Sequence, residues 1–207
     1  MDGVITNTMP DHFRAWTKIF RRYGIYVTHY DVYSREGQRG ITSVKEIFAH
    51  HKKTLSRVAA RKILVDKEKL FKKIVKTRFI PGARNFLRQL HRQGFDLALV
   101  TGTSRQELHR ILPRRIYDLF SVTVTGSDVK NGKPHPEPFL AALRKSNVKA
   151  KDAVVIENAP FGIESAKRAG LKCLAIQTSL PEKYLKEADK VFGSMHDLKT
   201  KVRFVKK

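Results

Sequence analysis

Phe95-Asp-Leu-Ala-Leu-Val-Thr-Gly-Thr-Ser104 is a short apolar run that stops abruptly on hydroxyls and a glycine. Its length suits a buried strand over residues 95–100, and Thr101-Gly102-Thr103-Ser104 suits the start of a helix reaching about Leu112. The alternation continues on both sides. Upstream, Pro81-Gly82 opens a helix carrying Phe86, Leu87 and Leu90 and ended by Gly94. Downstream come a strand near residues 122–125, a helix over 137–146 and a strand over 153–156. A helix closing on Ala169-Gly170 and a strand over 172–176 follow. This pattern predicts an α/β fold, a doubly wound parallel sheet with helices on both faces. Ligands of such sheets sit beyond the carboxyl ends of the strands.

Residues 9–78 read differently, as helix throughout. Thr8-Met9-Pro10-Asp11 has the form of a capping box with proline in the first turn. Phe13, Trp16, Phe20 and Tyr23 recur at helical spacing before Gly24, and residues 34–40 suit a turn. Residues 45–78 hold 12 Lys/Arg against three acidic residues, yet Ile63, Leu64, Leu70, Phe71 and Ile74 still make a stripe that can be buried. The segment is therefore read as folded. The basic tail, residues 199–207, is read as a loose end.

The chain has 207 residues, 41% of them apolar, enough for one core with an appendage. Its single cysteine, Cys173, excludes a disulfide scaffold and a cysteine-rich zinc site, and fits a reducing cytosol. No run approaches the ~20 apolar residues of a membrane span, and no signal-peptide core is present, so a cytoplasmic protein without a membrane partner is expected. The formal charge of +23 attracts polyanions and small phosphorylated substrates alike. A nucleic-acid footprint on residues 45–78 is disfavoured: Phe48 and Phe71 are the aromatics there, and no stacking platform is evident.

The strand ends carry a chemical set. Thr101, Gly102 and Thr103 offer hydroxyls and N–H groups to an anion. Lys133 stands in Asn131-Gly132-Lys133-Pro134-His135-Pro136, where glycine and prolines restrict the loop and aim one ammonium group. Glu157 and Asn158 supply hard oxygen ligands suited to Mg²⁺, and Asp2-Gly3 adds a carboxylate before a turn. Taken singly, each has a plain structural reading: a helix cap, a solvated lysine, a surface acid, a frayed terminus. Four of them in this order, three at strand ends, are harder to set aside.

In that order the residues resemble the haloacid dehalogenase superfamily, in the subgroup of β-phosphoglucomutase and related sugar-phosphate phosphatases. Met1-Asp-Gly-Val-Ile-Thr-Asn-Thr8 is similar to the family's first motif, Asp-x-Asp-Gly-(Val/Thr). Thr101 matches the second motif, Lys133-Pro134 the third, and Glu157-Asn-Ala-Pro-Phe-Gly-Ile-Glu-Ser-Ala-Lys-Arg-Ala-Gly170 the fourth. His12-Phe-Arg-Ala-Trp16 resembles the β-phosphoglucomutase cap. The resemblance implies a Rossmann-like core, residues 1–8 and 79–207, with a small helical cap inserted over 9–78. It also implies phosphoryl transfer through an aspartyl-phosphate. Asp2 is then the general acid/base, and Thr101, Gly102, Thr103 and Lys133 hold the phosphoryl group. Asp2, Glu157 and Asn158 hold Mg²⁺. His12, Trp16, Arg35, Gly37 and Arg39 face the substrate from the cap, although Trp16 also reads as cap core and His12 as a surface residue.

Two departures qualify the match. The family's nucleophile stands two residues before the acid/base, a place that falls ahead of Met1, as does the central strand leading into it. The expectation is a truncated chain, inactive as it stands. Asn158 also replaces the usual aspartate and should weaken metal binding. A phosphatase acting on a small phosphorylated metabolite, as monomer or weak dimer, is favoured over a phosphosugar mutase or an inactive phosphate-binding relative.

Overall fold

The computed structural model describes residues 1–206. Four helices come first: α1 (Met9–Arg21), α2 (His29–Tyr33), α3 (Gly40–His50) and α4 (Arg57–Ile74). They share a core built on Trp16, Ile19, Phe20, Val44, Phe48, Ala60 and Ile63, so the basic segment is ordered by its apolar stripe as expected. Apart from the buried Lys67, its cations stay outside, as a solvated helical face does. The later part alternates as the sequence indicates: α5 (Ala83–Arg92), β1 (Ala98–Val100), α6 (Arg105–Ile111), α7 (Arg114–Tyr117), β2 (Val122–Val124), α8 (Glu137–Ser146), β3 (Val154–Glu157), α9 (Pro160–Arg168), β4 (Lys172–Ile176), β5 (Lys190–Phe192) and α10 (Met195–Lys201).

All strand pairs are parallel. β1 pairs with β2, and β3-β4-β5 form a second ladder with Val154 opposite Lys172 and Leu174 opposite Lys190. Among the described residues no ladder joins the two sheets. Residues 1–6 lie against both: Met1 and Ile5 pack with Leu99 and Leu108, while Val4 also reaches the cluster of Ile80, Ile176 and Phe192. This segment is tied down by Ile80 N–H donating to the Ile5 carbonyl at 2.9 Å and by Asn7 N–H donating to the Arg78 carbonyl at 2.7 Å. It therefore places Asp2 at the same edge as the ends of β1 and β3.

Several local expectations change. The strand expected over 95–100 pairs only at Ala98–Val100, and β5, α7 and α10 were not read from the sequence. The tail is not loose over its first part: α10 covers residues 195–201, and Phe204 packs on Phe86 at 5.7 Å between ring centres. Lys207 lies outside the described residues. The capping box at Thr8 does not form. Thr8 makes no cap hydrogen bond because its hydroxyl is turned to the Asp2 carboxylate. Asp11 meanwhile accepts from Lys76 N–H and the Arg78 guanidinium at 3.1 and 3.2 Å. No helix of the described residues is long and apolar enough to cross a membrane.

Ile163 on α9 is fully buried against β3 and β4. Ile163→Ala is expected to cost ~2–5 kcal/mol of unfolding free energy, read as a lower urea midpoint at unchanged slope. A loss within ~0.5 kcal/mol, as for a surface position, would contradict this packing.

Candidate functional site

Chain reversals after β1 and β3 bring the polar residues together. β1 ends at Val100, and Thr101 N–H continues the ladder to the Val124 carbonyl at 2.9 Å before the chain turns. Thr101 Oγ1 then accepts from Thr103 N–H at 3.1 Å, and Ser104 caps α6. This leaves Thr103 Oγ1 free to donate to Asp2 Oδ2 at 3.2 Å. Thr8 Oγ1 donates to Asp2 Oδ1, and Thr6 Oγ1 lies 3.5 Å from the same oxygen. Asp2 is thus buried yet held by hydroxyls from three points of the chain. Burial alone would raise its pKa, but His12, the chain's α-amino group and Thr8 together hold it below the ordinary carboxylate range.

His12 is not a surface residue. It stacks on Phe71 at 4.0 Å and sets Nε2 3.9 Å from Asp2 Oδ1. Lys67 Nζ lies 3.0 Å from Nδ1. An ammonium group only donates, so Nδ1 accepts and Nε2 carries the proton toward Asp2. Burial, then Lys67, push the imidazole pKa down, which favours this neutral form. Lys67 was invisible in the sequence as one of 12 cations in its segment; only its burial, against Phe71 and Trp16, sets it apart. Trp16 stacks on Phe20 and also lines the cavity.

Lys133 is 4% exposed and lies 2.5 Å from Glu157 Oε1 and 3.4 Å from the Val100 carbonyl. Glu157 ends β3, and its Oε2 accepts from Asn158 N–H at 3.1 Å. Asn158 donates through Nδ2 to Ser179 Oγ at 2.9 Å, which turns its Oδ1 the other way. That Oδ1 is buried and accepts no hydrogen bond. An orphaned hard oxygen beside a carboxylate fits a divalent cation such as Mg²⁺. Among the described residues no group of three or more His, Cys, Asp or Glu gathers as a ready-made metal cluster. The donors on this cleft are instead Asp2, Glu157 and the Asn158 amide oxygen. Gly3 has φ +73°, and any side chain there would collide with Asn158.

The loop over residues 34–40 closes the cleft from above. Gly37 has φ +80°, and its carbonyl oxygen sits 2.6 Å from where a Gly102 Cβ would be, so both positions need glycine for the backbones to touch. Arg35 and Arg39 line the cavity, but their guanidinium groups are engaged by the protein. Arg35 donates to the Asp31 carbonyl at 3.0 Å and lies 3.5 Å from Glu46, and Arg39 donates to the Lys130 carbonyl. The cavity measures about 230 Å³, is open to solvent, and runs between His12, Trp16, Lys67, Glu68, Gly102, Thr103 and Glu107. Glu36 reaches into it, its pKa pushed up to about 8 by burial and by Asp2. Glu36, Glu68 and Glu107 carried no recognisable signal in the sequence.

The haloacid dehalogenase-like hydrolase model matches residues 1–176. The phosphorylated carbohydrates phosphatase of Thermotoga maritima is 34% identical over 83% of this chain and 80% of its own length. The (DL)-glycerol-3-phosphatase 1 of Arabidopsis thaliana is 30% identical over 96% and 70%. A solved Bacteroides vulgatus structure, provisionally described as a β-phosphoglucomutase, superposes with a TM-score of 0.87 at 33% identity, covering 97% of this chain and 84% of that one.

Gly162, in the first turn of α9, lies so close to the Glu157 carboxyl group that a methyl there would overlap it. Gly162→Ala is expected to displace Glu157 from Lys133 and to weaken Mg²⁺ binding at least tenfold by calorimetry. Unchanged metal affinity would remove Glu157 from the candidate metal ligands.

Proposed function

The chain belongs to the haloacid dehalogenase-like hydrolase family, and on that footing we propose that it is a Mg²⁺-dependent phosphatase of a small sugar or polyol phosphate. The observation that carries the reading is Asp2, buried and held by Thr8 and Thr103, on one cleft with Thr101, Lys133, Glu157 and Asn158. Residues 1–8 and 79–207 serve as the catalytic core, and residues 9–78 as the cap that closes on the substrate.

In this reading Thr101 Oγ1 and the N–H groups of residues 102 and 103 cradle the phosphoryl oxygens, and Lys133 offsets their charge. Asp2 is ionised at rest; the anionic phosphoryl group entering beside it raises its pKa, so that it picks up the proton it gives to the departing oxygen and then takes one from the incoming water. Thr8, Thr103 and His12 hold the carboxyl group in one orientation throughout. In this reading the transfer passes through an aspartyl-phosphate, as the family resemblance implies. A Mg²⁺ held by Glu157, Asn158 and Asp2 would supply further neutralisation of the phosphoryl charge.

A mutase is the second reading, favoured by the Bacteroides likeness. The experiment incubates the protein with β-glucose 1-phosphate and Mg²⁺. Free phosphate is expected. Glucose 6-phosphate as the product would favour the mutase, and tight phosphate binding with no turnover an inactive relative. Lys133→Ala should lower kcat by ~10²–10³-fold, the usual cost of removing one donor to the reacting oxygens.

A further inference from the structure

The cations of this chain are not offset evenly. Around the β3-β4-β5 sheet Lys167, Arg168 and Lys201 each meet a carboxylate at 2.5–2.7 Å. Helices α5, α6 and α7 are different. No acidic residue stands between Glu68 and Asp96, or between Glu107 and Asp118. Arg84, Arg88 and Arg92 of α5, Arg110 of α6, and Arg114 and Arg115 of α7 fall in these gaps, and all six are exposed. Among the described residues only Arg114 of the six has an ion pair, with Asp118 at 3.6 Å.

Packing brings these arginines to one side of the molecule. The apolar sides of the three helices meet in one cluster, Leu87 with Leu108, Ile111 and Ile116, so their charged sides are neighbours on the surface. An open groove of about 350 Å³ runs between α5 and Leu119, just past α7, and is lined by Asn85, Arg88, His91 and Arg92. Arg84, Arg88 and Arg92 stand four residues apart and so form a row. That row covers ~12 Å of helix, a length over which a nucleic-acid duplex carries about seven phosphate charges. The Phe79 ring, 4.9 Å from the Arg84 guanidinium, supports it without neutralising it.

Clustered like charges repel one another, and a polyanion lying across them removes that cost. Arginine supplies all six, and its planar fork grips phosphate oxygens in pairs. None of the exposed large apolar side chains of the described residues lies on these helices. An anionic bilayer is held more firmly where such side chains insert, and a single strand where aromatic faces stack on its bases. A double helix needs neither, because its phosphates face outward and its bases are already stacked. The stacking platform missing from residues 45–78 is therefore not required here. We propose that the α5–α7 face docks a nucleic-acid duplex by its phosphate backbone, without reading its sequence. This surface lies outside the cleft, and the inference does not depend on the phosphatase reading.

The test is fluorescence anisotropy of a labelled 20-base-pair DNA duplex with the full chain between 50 and 200 mM NaCl. Micromolar binding is expected to persist at 150 mM, with a second duplex of unrelated sequence bound within twofold. Arg88→Gln/Arg92→Gln/Arg115→Gln should weaken binding at least tenfold and make the slope of log affinity against log salt shallower by ~2–3. Lys149→Gln/Lys172→Gln/Lys186→Gln removes the same charge from exposed positions elsewhere and should change affinity less than threefold. Thermal unfolding checks that both variants are folded; if the triple arginine variant is not, Arg88→Gln/Arg92→Gln replaces it with a slope change of ~2. Equal losses in the arginine and lysine variants would mean that net charge alone is at work, and overturn the proposal. So would loss of binding by 150 mM, tighter binding of a single strand, or arginine-dependent binding to phosphatidylserine vesicles in preference to the duplex.

Discussion

A buried lysine and a buried glutamate hold this site together. Lys133 comes from the loop before α8 and Glu157 from the end of β3, and their charges meet 2.5 Å apart at side-chain exposures of 5% and 7%. Taking two ions out of water costs several kcal/mol each, so neither is tolerable here without the other. The pair therefore couples two crossover connections, which Ser165 Oγ donating to the His135 carbonyl at 2.7 Å also joins. Around it the Val100 carbonyl accepts from Lys133, the Asn158 N–H donates to Glu157, and the Phe139 ring lies under the ammonium group. In the proposed phosphatase reading, the same restraint gives a phosphoryl group one fixed cation and holds the Glu157 carboxylate for a metal.

The helical block contributes to the chemistry by being close, and glycines make that closeness possible. At residues 37 and 102 the two parts of the chain touch backbone to backbone, where a Cβ would hold them apart. At Asp2 the contact is through side chains: Thr8 and His12 at the start of the block, and Lys67 from α4 behind His12. A hydroxyl, an imidazole and an ammonium group are all spent on orienting one carboxyl group. That expenditure is understandable for a group that must lose and regain a proton without moving.

Legibility followed the range of the interaction responsible. Helix α8 and strand β4 have the extents their apolar spacing and flanking prolines and glycine indicate, because those signals act over a few residues. Strand β1 is three residues shorter than its apolar run, because pairing needs a neighbour and Phe95 and Leu97 are spent on packing against the tail and α5. Thr8 reads as a helix cap and serves Asp2 instead, a competition between a local partner and a distant one that only the folded chain decides. Arg35 and Arg39 read as substrate-facing cations; they line the cavity and each also donates to a backbone carbonyl, a pairing no composition reveals.

By itself the sequence determined the fold class, the family, and which acid, hydroxyl, lysine and amide side chains stand at the strand ends, since each is written in short motifs whose meaning is local. Only the tertiary structure decided that Lys67 is buried and that the cap arginines are occupied. It alone left Asn158 Oδ1 and Glu107 Oε1 without partners. Burial and pairing are properties of what surrounds a side chain, and those surroundings come from residues tens of positions away.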